Sequence, residues 1–76
     1  MQLDKLLEEN EQWKADEVDR IDRLADQGVI SEEQADARKK AIEEQAAVRE
    51  EEIEKKRIEI KINLHIIMFL LYELTD

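Results

Sequence analysis

The sequence predicts an all-α protein, a helical hairpin whose helices cover about residues 3–27 and 32–74. Three observations support this fold class. Charged residues make up 43% of the chain, which has one glycine and no proline, a composition typical of long helices and coiled coils. Signals that end one helix and begin another lie together at residues 28–31. On both sides of this turn, apolar residues recur at intervals of three and four, the spacing of one helix face.

The turn at residues 28–31 carries the strongest local signals in the chain. Gly28 is the sole glycine, and it suits the left-handed position that follows the end of a helix. Ser31 is the expected N-cap of the second helix. Gln34 stands three residues later, where its side chain completes a capping box with Ser31. We therefore expect a sharp reversal between two helices at this point.

The first helix is predicted from apolar residues that are interrupted by the polar residues Asn10 and Lys14. The apolar positions are Leu3, Leu6, Leu7, Trp13, Val18, Ile21, Leu24 and Ala25. Trp13 is the sole tryptophan. We expect it to anchor the packing between the two helices, and an exposed binding anchor is the alternative interpretation.

The second helix changes character at residue 58, so the sequence divides into a charged hairpin (1–57) and an apolar association segment (58–76). From Ile58 to Tyr72, eleven of fifteen residues are apolar. Alternation of β-branched and polar residues at the start of this segment also fits a strand, which stays an alternative for residues 58–72. We expect a helix, because no helix breaker follows Ser31 and a lone strand has no neighbour to pair with.

As a helix, the apolar segment would carry a coiled-coil-like seam for oligomerisation. The predicted interface residues are Ile53, Ile60, Leu64, Ile67, Leu71 and Leu74, with Phe69 on an adjacent stripe. The shorter first helix would reach back only to Lys56 or Arg57, so most of this seam would lie uncovered. Because monomers rarely expose so large an apolar patch, we expect a homo-oligomer or docking to another helical protein.

No residue pattern in the sequence indicates catalysis, and we expect a non-enzymatic protein without cofactor or metal. The chain has no cysteine and one histidine. His65 is not part of a Glu-x-x-His metal motif, because Ile62 occupies the glutamate position. Ser31 is better explained as a helix cap than as a nucleophile.

The net charge of −9 argues against direct nucleic-acid binding, which needs a basic surface. Two alternatives to a structural role remain open. One is a small acidic inhibitor that mimics nucleic acid and occupies a basic groove. The other is attachment to a membrane surface through residues 55–72, where Lys55, Lys56 and Arg57 precede the apolar run. That run is too short to span a bilayer and no signal peptide is visible, so we expect a cytoplasmic location.

Residues 21–57 resemble a helical hairpin of phage tail tape-measure proteins. The shared pattern is an aliphatic helix end, Gly28, an aliphatic residue, Ser31 and a Glu-Glu pair, followed by a helix rich in arginine and lysine. The resemblance implies an elongated, non-enzymatic, phage-associated role, in a phage particle or in the cytoplasm. This chain is much shorter than tape-measure proteins, and its isoleucine-rich end lies outside the shared pattern.

Overall fold

The computed structural model describes residues 2–74, which form two long helices joined by one turn. Helix α1 runs from Gln2 to Asp26 and helix α2 from Glu32 to Leu74, 25 and 43 residues respectively. This confirms the predicted helical hairpin, with α1 one residue earlier at each end than expected. Residues 58–74 continue α2, so the chain is helical over the segment for which the sequence left a strand open. The Cα positions extend over 72 × 18 × 8 Å.

The turn has the hydrogen bonds of a Schellman motif followed by a capping box. Gly28 has a φ of 74°, and the N–H groups of Gly28 and Val29 donate to the carbonyls of Ala25 and Leu24. The Ser31 N–H donates to Gln34 Oε1 at 3.0 Å, and the Gln34 N–H donates to Ser31 Oγ at 3.1 Å. These bonds satisfy backbone groups that each helix end would otherwise leave without partners.

The two helices pack antiparallel through a thin core. Among the described residues, the buried apolar side chains are Leu3, Ile21, Ala35 and Ala46. Two of these four are alanines, whose small side chains let the helix backbones approach but bury little area. The hairpin by itself therefore gains little hydrophobic stabilisation for its length.

Ion pairs join α1 to α2 near both ends of the hairpin. Close to the turn, Lys39 Nζ lies 2.7 Å from Asp22 Oδ1. At the open end, the Arg57 guanidinium donates to the carboxylate of Asp4. Because Asp4 lies in the first turn of α1, this second pair marks the point on α2 where contact with α1 stops.

Candidate association surface

The last part of α2, residues 58–74, projects beyond α1, and we call it the extension. Every residue in it is exposed, and the exposure of its large apolar residues ranges from 41% at Ile60 to 81% at Leu74. Its large exposed apolar residues are Ile58, Ile60, Ile62, Leu64, Ile66, Ile67, Met68, Phe69, Leu70, Leu71, Tyr72 and Leu74. Such a concentration of exposed apolar surface typically marks an interaction site.

One face of the extension is the direct continuation of the face of α2 that packs on α1. Successive residues of an α-helix are rotated by about 100°, so residues spaced by three and four stay on one side. The face in contact with α1 includes Ala35, Ile42, Ala46, Arg49, Ile53 and Arg57. The same spacing leads on to Ile60, Leu64, Ile67, Leu71 and Leu74, which we call the seam. The seam begins where α1 ends.

A second apolar stripe runs along the opposite side of the extension. It consists of Ile58, Ile62, Ile66 and Phe69, all of them more than half exposed. At about 100° per residue, these side chains point away from the seam. Polar residues stand between the two stripes at the start of the extension, and Met68 and Leu70 stand between them further along. The only charged residues in 58–74 are Glu59, Lys61 and Glu73. One neighbouring helix could cover the seam or the stripe, but not both.

The structure places the interface residues predicted from the sequence in two different environments. Ile60, Leu64, Ile67, Leu71 and Leu74 lie together on the exposed seam, whereas Phe69 lies on the opposite stripe. Ile53 lies within the hairpin, half-buried between the helices. The turn residues Gly28, Ser31 and Gln34 lie at the other end of the molecule.

Beside Ile53, a groove opens between the helices on one side of the hairpin. It has a volume of about 360 Å³ and is lined by Leu6, Glu9, Asn10, Trp13, Arg49, Glu52, Ile53 and Lys56. The predicted anchor Trp13 is half-buried here, and the Arg49 guanidinium lies 4.0 Å from the centroid of its ring. This distance is typical of a cation–π interaction. Leu6, Trp13 and Ile53 give the groove an apolar lining that stays partly exposed.

Asn10 is the residue of this region that the sequence pattern did not single out. It is 7% exposed, and its Nδ2 donates to the backbone carbonyl of Ala46 at 2.9 Å. Its Oδ1 is buried and accepts no hydrogen bond within the described part of the chain. In the sequence Asn10 only interrupts the apolar pattern. The available signal was its spacing, because Leu3, Leu7, Asn10, Lys14, Glu17 and Ile21 follow one another at intervals of three and four.

Comparison of the chain with models of protein families, with curated proteins and with solved structures gives no match. Between residues 2 and 74, no group of three or more histidine, cysteine, aspartate or glutamate side chains is arranged to hold a metal ion. No helix within the same residues is both long enough and apolar enough to cross a membrane. The fold and its exposed surface define a helical hairpin with a single-helix apolar extension.

Proposed function

We propose that this protein is a non-enzymatic association module, in which copies of the chain bind one another through the extension. The observation that carries the proposal is the seam, which continues the face of α2 packed on α1 beyond the end of α1. Fully burying a side chain such as Ile60, Leu64 or Ile67 contributes about 1.5–3 kcal/mol before entropic costs. Burial of several such side chains per chain would favour assembly against the entropic cost of association.

The thin core of the hairpin supports the same proposal. Ile21 and Leu3 are the only large apolar side chains buried in the described residues. A chain of this size is marginally stable when it folds alone, and small scaffolds usually depend on disulfides, metals or partner chains. Since the sequence has no cysteine, subunit association is the stabilising device that fits its composition. The resemblance of residues 21–57 to tape-measure hairpins extends the proposal to a phage-associated structural role, in the cytoplasm or in a phage particle.

The experiment is the solution mass of the full chain, measured by light scattering, beside two double variants. Ile60→Asp with Ile67→Asp places two charges on the seam, and we expect dissociation to single chains because a charge cannot be buried there without a partner. Val29→Asp with Val48→Asp is the matched control, since both valines are exposed and lie outside the extension. The control should keep the mass of the original chain. A single copy of the unmodified chain in dilute buffer would contradict the proposal.

A further inference from the structure

We infer that the groove lined by Leu6, Trp13 and Ile53 is the docking site for the extension of a second copy of this chain. This inference rests on the proposed function and specifies the surface that the extension binds. The argument begins with the extension itself. Its apolar residues are not confined to the seam, because every residue from Ile66 to Tyr72 is apolar and exposed. A groove between two helices contacts a docked helix over a wider arc than a single helix does, so it buries more of this surface.

The groove has the exposure and chemistry that suit such an occupant. Leu6 is 41% exposed at its edge, and Trp13 and Ile53 are half-buried on its floor. The charged side chains around it are two acids, Glu9 and Glu52, and two bases, Arg49 and Lys56. Because acidic and basic side chains are equal in number around the groove, its surface is neither strongly negative nor strongly positive. Such a surface would not select a polyanion or a strongly basic partner. It suits a helix with few charges, such as the extension.

The occupant must come from a second copy, because the extension cannot reach the groove of its own chain. Helix α2 is continuous from Glu32 to Leu74, so the extension points away from the hairpin. The groove ends at Lys56, immediately before the extension begins. If two α2 helices cross antiparallel near Ile60, each extension lies over the other copy's groove. This two-fold contact is self-complementary and closed.

The dimensions of the two surfaces agree with this arrangement. The stretch of α2 that lines the groove, from Arg49 to Lys56, is about 11 Å long at 1.5 Å per residue. The extension is about 25 Å long by the same measure. An extension can therefore cover the whole groove of its partner and still contact the partner's extension near the two-fold axis.

The first test compares the full chain with Leu6→Glu and with the matched control Val48→Glu. Leu6 lies at the groove, whereas Val48 is 54% exposed on α2 and does not line it. We expect Leu6→Glu to raise the dissociation constant about tenfold or more, because the carboxylate would be buried on docking. Val48→Glu should associate like the unmodified chain. Equal association of the two variants would overturn the inference while leaving self-association through the extension intact.

A second test measures, by chemical cross-linking, whether the extension of one copy lies near the groove of another. It does not depend on the folding of Leu6→Glu. The chain has no native cysteine, so single cysteines can be placed at will. Chains with Glu9→Cys and with Met68→Cys are mixed and treated with a short bis-maleimide. A mixture of Arg38→Cys and Met68→Cys chains is the control, because Arg38 does not line the groove.

We expect the mixed cross-link between Glu9→Cys and Met68→Cys chains to exceed that of the control mixture. Equal yields in the two mixtures, or no cross-link in either, would overturn the groove as the docking site. A chain that is a single copy in buffer and sediments only with anionic vesicles would overturn both this inference and the proposed function. These outcomes separate a wrong docking site from a wrong function.

Discussion

The side chain of Asn10 joins the two helices by donating a hydrogen bond to the backbone carbonyl of Ala46, 36 residues away in the sequence. The bond is 2.9 Å long and buried. It is a buried polar contact, whereas the other buried side chains of the described residues are small or aliphatic. Because Asn10 can reach this carbonyl at one alignment of the helices, the bond favours the observed register. Single buried asparagines have this effect in coiled coils.

Replacement of Asn10 by aspartate should destabilise the hairpin. The substitution keeps the shape of the side chain but replaces the Nδ2 donor with a carboxylate oxygen facing the Ala46 carbonyl. We expect the free energy of unfolding to fall by about 1–3 kcal/mol, the cost of leaving a buried polar group without its partner. Urea unfolding at one fixed protein concentration measures this change, because association also contributes to apparent stability.

The matched control for Asn10→Asp is Gln45→Glu, which adds the same charge at an exposed position of α2. The control should change stability only slightly, as most exposed substitutions do. Asn10→Leu should retain or increase stability, because it removes the unpaired Oδ1 as well as the donor. If Asn10→Asp and Gln45→Glu had equal effects, the hydrogen bond to Ala46 would have no role in stability.

Replacement of Gly28 by alanine should destabilise the hairpin through backbone conformation alone. Gly28 has a φ of +74°, and among the described residues no atom beyond Gly28 and its two chain neighbours lies within 4 Å of the position that a Cβ would occupy. The expected cost is therefore the conformational penalty of the left-handed region, about 1–2 kcal/mol for an alanine. Thermal unfolding at constant protein concentration should show a lower midpoint.

Gly28→Asn separates the effect of conformation from the effect of adding a side chain. Asparagine tolerates the left-handed region better than alanine, so it should recover part of the loss. Equal midpoints for the alanine and asparagine variants would contradict a conformational cause. An unchanged midpoint for alanine would show that the turn is not strained by a Cβ.

The ion pair between Lys39 and Asp22 should make stability depend on pH in the alkaline range. The pKa of Lys39 is raised above its usual 10.5, chiefly by the hydrogen bond to the Asp22 carboxylate and against the opposing effect of desolvation. A lysine with a higher pKa in the folded state contributes its full stabilisation below the unfolded-state pKa. That contribution is lost as the pH rises through the folded-state pKa.

Asp22→Asn removes this contribution, so the variant and the original chain should differ in stability at about pH 8 and should differ less at a pH above 10.5, the usual pKa of lysine. Urea unfolding at the two pH values measures the difference. Asp19→Asn serves as the control, since Asp19 is an exposed aspartate on the same helix. A stability gap between Asp22→Asn and the original chain that stays constant with pH would exclude the Lys39 pair as its source.

Local chemistry made the helical hairpin predictable, although its packing was harder to foresee. The turn could be predicted from the sequence because Gly28, Ser31 and Gln34 act on backbone groups within a few residues of themselves. The residues of the seam could also be predicted, because helix geometry alone decides which positions share one face. The groove was not predicted, since it depends on which residues of α1 lie opposite Arg49 and Ile53. Asn10 was noted only as an interruption, because a buried polar residue looks like a surface residue until its partner is known.

The amino-acid sequence alone determined that this chain forms two helices and where the turn between them lies. It also determined that the second helix is longer and that its apolar part extends beyond the end of the first. These features follow from backbone conformation, capping and residue spacing, all of which act over short separations. Only the tertiary structure decided the alignment of the helices, which pairs Asp4 with Arg57 and opens a groove beside Trp13. That alignment comes from contacts between residues far apart in the chain, whose relative positions are fixed only when the two helices pack.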